Sequence, residues 1–199
     1  MNYHADFEED KFYHIINHAV GNENLFRTNE NYRYFLQQYH HHTSPVWHTY
    51  AYCLMPNHFH LLVRIHHQSE IELHPKYKGD VHKVVMQALS NWLNGYAKAY
   101  NKRYERRGAL FLDFTKRIHI DSEGYFITAV NYIHQNPVHH GFCRKPMDWL
   151  YSSYNSCLSE QTTRIKRTEI LEWFGGKKAF VDFHENNTSG LDPDSEFGF

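Results

Sequence analysis

Two apolar runs of strand length, Trp47 to Leu54 and Phe59 to Ile65, are interrupted by Met55-Pro56-Asn57. Proline and asparagine favour a tight reversal, so the runs read as an antiparallel hairpin. From His58 to Ile65 the strand period of two sends Phe59, Leu61, Val63 and Ile65 to one face. His58, His60, Leu62 and Arg64 go to the other. The first face needs an apolar cover. The two imidazoles on the second, in so apolar a strand, need partners of their own.

Around this hairpin the periodicities alternate. Lys11 to Val20 mixes β-branched and aromatic residues and stops at Gly21, as a strand does before a turn. Thr28 is a good N-cap for a helix carrying Tyr32, Phe35, Leu36 and Tyr39, which ends near His40, His41, His42 and Pro45. A long helix is expected from about Asp80 to Arg106, with Val81, Val84, Val85, Ala88, Leu89, Trp92, Leu93 and Tyr96 as its stripe. Leu110 to Ile120 reads as a fourth strand. Asp121 or Ser122 then caps a helix to about Gln135, with Pro137 ending it. Gly141 to Leu158 is aromatic and irregular, and Thr168 to Phe174 suits a short helix before a disordered acidic end. Strand, helix, strand, strand, helix, strand, helix predicts an α+β fold of the ferredoxin-like type: an antiparallel sheet with helices on one face and the last helix added.

Length and charge narrow the functional classes. The 199 residues suit one main domain, expected over 1–158, with an extension over 159–199. No apolar run approaches membrane-spanning length, and the acidic N-terminus is unlike a secretory signal, so a soluble cytoplasmic protein is expected. Cys53, Cys143 and Cys157 are too scattered for a disulfide framework or a zinc knuckle and read as reduced thiols. Most of the 18 histidines are expected at the surface. The net charge of -1 hides a segregation: Lys98, Lys102, Arg103, Arg106, Arg107, Lys116 and Arg117 face only two acids between residues 98 and 117. From Asp182 onward there are five acids and no lysine or arginine. The middle of the chain suits a polyanion; the end does not.

Two local patterns carry chemistry. His58 and His60 project the same way about 7 Å apart along the strand, a spacing from which two nitrogens can converge on one divalent ion and leave positions open for substrate. The same pair reads equally as two polar residues on a strand face. In the helix from Tyr125 to Asn136, the core stripe is Phe126, Ala129, Val130 and Ile133, and Tyr132 and Asn136 are neighbours on its flank. An amide oxygen beside two imidazoles suits Mg²⁺ or Mn²⁺ better than a closed zinc site. By themselves, Tyr132 is also an ordinary packing residue and Asn136 an ordinary helix stop.

Several motifs in one order resemble a known family. YCLMPNHFHLLVRI (Tyr52 to Ile65), AKAYNKRYERRG (Ala97 to Gly108), Leu110 to Phe114, YIHQNPVHHG (Tyr132 to Gly141) and WLYSSY (Trp149 to Tyr154) together resemble the HUH single-tyrosine transposases, and among them the REP-associated tyrosine transposases. The resemblance covers roughly residues 10 to 158 and implies the HUH endonuclease fold with a C-terminal nucleophile-bearing helix. It also implies that His58 and His60 hold a divalent metal, Mg²⁺ or Mn²⁺, that Tyr132 attacks, and that Asn136 completes the metal shell. The implied partner is single-stranded or hairpin DNA, with no membrane; a monomer and a homodimer both stay open.

The implied chemistry is transesterification, with a 5′-phosphotyrosyl bond formed and a 3′-OH freed, so no nucleotide cofactor is needed. The basic segment would grip phosphates and exposed aromatics would stack on bases. What takes the proton from Tyr132 is not legible; His134 points elsewhere on the helix. A second reading is a domesticated hairpin-binding protein that has lost turnover. A replication initiator or relaxase with the same chemistry would be expected to carry further domains.

Overall fold

In the computed structural model, which describes residues 3–188, four antiparallel strands lie in the order β2-β3-β1-β4. They are β1 (Phe12–His18), β2 (Trp47–Leu54), β3 (His58–Ile65) and β4 (Lys116–Ile120). The helices are α1 (Asn29–Thr43), α2 (Gln68–Ile71), α3 (Val81–Arg103), α4 (Glu123–His139), α5 (Tyr154–Leu158), α6 (Arg167–Phe174) and α7 (Lys177–Asn186). This is the ferredoxin-like order and strand arrangement expected from the sequence.

The alternation in β3 decides the layering. Phe59, Leu61, Val63 and Ile65 join Tyr13 and Ile15 of β1 beneath α1 and α3, where Phe35, Trp92 and Tyr96 are fully buried. Each such side chain contributes about 1.5–3 kcal/mol on burial. On the opposite face, Ile16, Leu62 and Ile118 meet Phe126, Ala129, Val130 and Ile133 of α4. So α1 and α3 share one face, and the added helix takes the other. Caps are as the sequence suggests: Asp80 accepts from Lys83 N–H, Ser122 accepts from Tyr125 N–H, and Thr28 and Asn31 form a capping box.

Three expectations are corrected. First, α4 does not stop before Pro137 but runs through it to His139. A proline in the final turn removes a single N–H, and the end closes by a Schellman motif: Phe142 N–H donates to Pro137 O at 2.8 Å and Gly141 N–H to Val138 O at 3.0 Å, with Gly141 at φ 72°. Second, β4 begins at Lys116, not Leu110. The Asn17 side chain captures Leu112 O at 3.2 Å and Thr115 Oγ1 at 2.7 Å, holding the preceding segment as a loop whose Leu110 and Phe111 are buried in the α1–α3 core. Third, residues 159–188 are built onto the fold. Ile165, Ile170 and Phe180 are buried in the α4 core, and Asp182 and Glu185 of the acidic stretch lie on α7. Asp192, Asp194 and Glu196, where disorder was expected, lie outside the described residues.

Only His4, His41, His67 and His140 are exposed, fewer than expected; eight other histidines are half-buried, and His14, His58, His60, His66, His134 and His184 are buried. The three cysteines are free thiols, two of them buried. Among the described residues no helix is long and apolar enough to cross a membrane.

Candidate active site and nucleic-acid cleft

The second face of β3 and the last two turns of α4 bring together His58, His60, Tyr132 and Asn136. His58 Nε2 lies 3.0 Å from Asn136 Oδ1. The Tyr132 ring meets the His60 ring edge-on, with centroids 5.5 Å apart. His60 and Asn136 are fully buried, and Tyr132 and His58 nearly so.

Three further histidines belong to the cluster, and sequence reasoning missed all of them. β1 lies antiparallel to β3 with Ile16 opposite His60 and His18 opposite His58. His14 Nε2 consequently reaches His60 Nδ1 at 3.0 Å, and the His18 ring stacks on His58 at 5.6 Å. Their signal was available: His14, Ile16 and His18 share one parity in a strand. His140, just past α4, adds a ring 5.2 Å from His58.

Burial holds His14, His58 and His60 neutral. Desolvation pushes His14 and His58 down to about 3, and His60 well below the ordinary histidine value, with the neighbouring imidazoles adding to the effect on His60. Neutral imidazoles are the ligand form.

The hydrogen bonding of His58 tests whether a cation fits. Its Nδ1 faces Asn57 Oδ1 at 2.9 Å while its Nε2 faces Asn136 Oδ1 at 3.0 Å. A neutral imidazole has one proton for two oxygens. Rotation of one terminal amide resolves the conflict, and so does a cation between Nε2 and Oδ1. Two ligand atoms about 2.1 Å from a six-coordinate ion and at right angles stand about 3 Å apart. The buried Asn136 Nδ2 has no hydrogen-bond partner, which rotation of its amide would supply and a metal-facing Oδ1 would not. Two imidazoles and an amide oxygen form a donor set of the kind that holds a divalent cation. His14 Nε2 and His60 Nδ1 share one proton across 3.0 Å; the tautomer in which His60 donates it presents His60 Nε2 as the ligand atom.

A cleft of about 770 Å³ reaches this cluster at His58. Its walls include His18, Lys116, His140 and the exposed apolar side chains of Leu112, Phe114 and Phe142. His60, Tyr132 and Asn136 do not line it; they lie behind His58.

The seven basic residues singled out in the sequence separate into two groups. Arg106 is used internally: its guanidinium bonds Glu23 at 2.9 Å, Asn101 at 3.0 Å and Ala109 O at 2.6 Å. Arg117 likewise donates to Ala5 O and His4 O. Lys98, Lys102, Arg103 and Arg107 are exposed, with Arg103 paired to Glu30 at 2.7 Å, and Lys116 lies beside the cleft. Lys98 lines an adjoining groove that shares Asn17, Leu112 and Phe114 with the cleft.

His134, near Tyr132 in sequence, does point elsewhere. It bonds His184 at 3.0 Å and Ser153 Oγ at 2.8 Å.

Among solved structures, the chain is similar to a REP-associated tyrosine transposase bound to a REP hairpin. The two share a fold. The TM-score is 0.58 at 15% sequence identity, and the match covers 80% of this chain and 86% of that one. No protein-family model and no curated protein matches the sequence.

Proposed function

We propose that the chain is a metal-dependent DNA transesterase of the HUH tyrosine-transposase kind, which cleaves and rejoins hairpin-bearing single-stranded DNA through a 5′-phosphotyrosine. The observation that carries this reading is the convergence of His58, His60, Asn136 and Tyr132 between β3 and α4. It is supported by the fold shared with a transposase bound to a REP hairpin.

In this reading His58 Nε2, His60 Nε2 and Asn136 Oδ1 hold Mg²⁺ or Mn²⁺. The bound ion supplies polarisation of the scissile phosphate and fixes its position. Tyr132 Oη forms a bond to phosphorus as the bond to the 3′ oxygen breaks. The phenol loses its proton and the leaving oxygen gains one, ending as a 3′-OH. Lys98, Lys102, Arg103, Arg107 and Lys116 meet phosphates, whereas Arg106 and Arg117 act by holding the loop and the N-terminal segment. Phe114 and Phe142 offer stacking faces at the cleft, where such contacts contribute about 1–3 kcal/mol per base.

The burial of Tyr132 imposes a condition: the last turns of α4 must move away from β3 before a phosphate reaches the phenol. That same burial favours the second reading, a hairpin-binding protein that no longer turns over. Incubating end-labelled hairpin-bearing single-stranded DNA with the protein and Mn²⁺ separates the two. Site-specific nicking that EDTA or His58→Ala abolishes supports catalysis; tight binding without nicking supports the second reading.

A further inference from the structure

We propose that His48, His66 and Glu70 form a second divalent-cation site of the zinc type, at the end of β3 remote from Tyr132. His66 lies eight residues along the chain from His58, about 26 Å at the rise of a strand.

Three elements hold the ligands. His48 lies on β2 opposite Arg64 of β3. His66 follows β3 directly, and its backbone N–H bonds Val46 O at 3.0 Å. Glu70 comes from α2, which is anchored by the fully buried Ile71 and by Gln68 N–H on Glu9 at 2.7 Å.

The donor atoms are close. His66 Nε2 is 3.2 Å from His48 Nδ1, whereas the 3.7 Å approach to Glu70 Oε2 is made by the other ring nitrogen, His66 Nδ1, so a single ion draws on one of these nitrogens only. One donor atom from each residue lies within 4.8 Å of the other two. Ligands about 2.1 Å from one tetrahedral ion stand about 3.4 Å apart, so the set closes by rotation of the exposed Glu70 side chain toward the two imidazoles.

Chemistry selects the cation class. Two imidazoles and one carboxylate, with a coordination position left to water, match Zn²⁺ rather than the all-oxygen shells of Ca²⁺ or Mg²⁺. Both imidazoles are held neutral by partial burial, His48 down to about 4. Two nearby cations oppose metal binding, but Glu169 offsets both: it lies 3.9 Å from Arg64 and 3.4 Å from Lys166. Glu9 and Asp10, facing His67 at 3.8 and 4.0 Å, add negative charge next to this rim.

The test is a Zn²⁺ titration of the full chain against a chromophoric chelator, repeated with Co²⁺ by visible absorption. The wild type should bind an equivalent of Zn²⁺ that Glu70→Gln and His48→Gln each weaken tenfold or more, and that His58→Ala leaves in place. Glu70 is exposed, so Glu70→Gln keeps the fold. Unchanged Zn²⁺ affinity and stoichiometry in both Glu70→Gln and His48→Gln overturns the site, as does loss of every equivalent in His58→Ala alone. Neither result bears on nicking at Tyr132.

Discussion

His58 places one imidazole between two amide oxygens, Asn57 Oδ1 and Asn136 Oδ1, and so defines the site residue by residue. If the second contact is a metal shell, His58→Ala and Asn136→Ala should each lower Mn²⁺ affinity tenfold or more by calorimetry. Equal affinity in both variants would leave only a hydrogen-bonded pair. The basic residues make a separate prediction. Arg106→Ala should cost about 1.5–3 kcal/mol of stability, because charge-assisted bonds to Glu23 and Ala109 are lost. Lys102→Ala and Arg107→Ala should leave the melting temperature unchanged and flatten the salt dependence of single-strand binding by about 0.7 per phosphate contact removed. A melting shift in the lysine variant, or none in Arg106→Ala, would reverse these roles. His58 and His60 were legible in the sequence because strand parity acts between neighbours. His14 and His18 were not identified: their shared parity in β1 is a local pattern, but their approach to His58 and His60 depends on the pairing of β1 with β3, which is a tertiary choice.

At the scale of elements, α4 is the member whose environment departs most from its sequence pattern. Residues 129–137 are buried on every side, because the sheet lies against one face and α7 against another. Its polar residues are therefore matched inside the protein: Gln135 Nε2 donates to His184 O at 2.7 Å, and Asn131 Nδ2 to Asn187 O at 2.9 Å. The interface is sensitive to pH. Burial lowers His184 to about 4 and His134 well below its ordinary value. Unfolded histidine takes up a proton near 6.5, so stability is full above that pH and falls as pH drops toward 4, by roughly 1.4 kcal/mol per pH unit for each histidine. Thermal midpoints should fall between pH 6.5 and 5, and His184→Gln should shallow the slope; a flat profile would contradict neutral burial. Phe180→Ala, at the fully buried centre of this interface, should cost about 3–5 kcal/mol by chemical denaturation. Helix α6 was legible from its own spacing. α7 was masked by the acids around it, although Phe180 and His184 are four apart, as one buried stripe requires.

For the whole molecule, the order of periodicities was enough to give the sheet and its helices, because each element is amphipathic in its own period. The cleft was not legible: Lys116 and Phe114 come from one segment, His140 and Phe142 from another, and only the fold places them beside His58. Nor did the sequence reveal that Tyr132 would be 1% exposed behind that cleft. In the proposed mechanism, nicking therefore requires α4 to open, while binding uses the exposed wall. Phe114→Ala should accordingly weaken single-strand binding by about 1–3 kcal/mol with the melting temperature unchanged. The most direct measurement is the covalent adduct itself. The protein is incubated with Mn²⁺ and labelled hairpin-bearing single-stranded DNA, denatured, digested and mapped by mass spectrometry. A 5′-phosphodeoxynucleotide on the Tyr132 peptide, absent in Tyr132→Phe, is the predicted result. An adduct that persists in Tyr132→Phe, or strand cleavage with no adduct on any tyrosine, would contradict it.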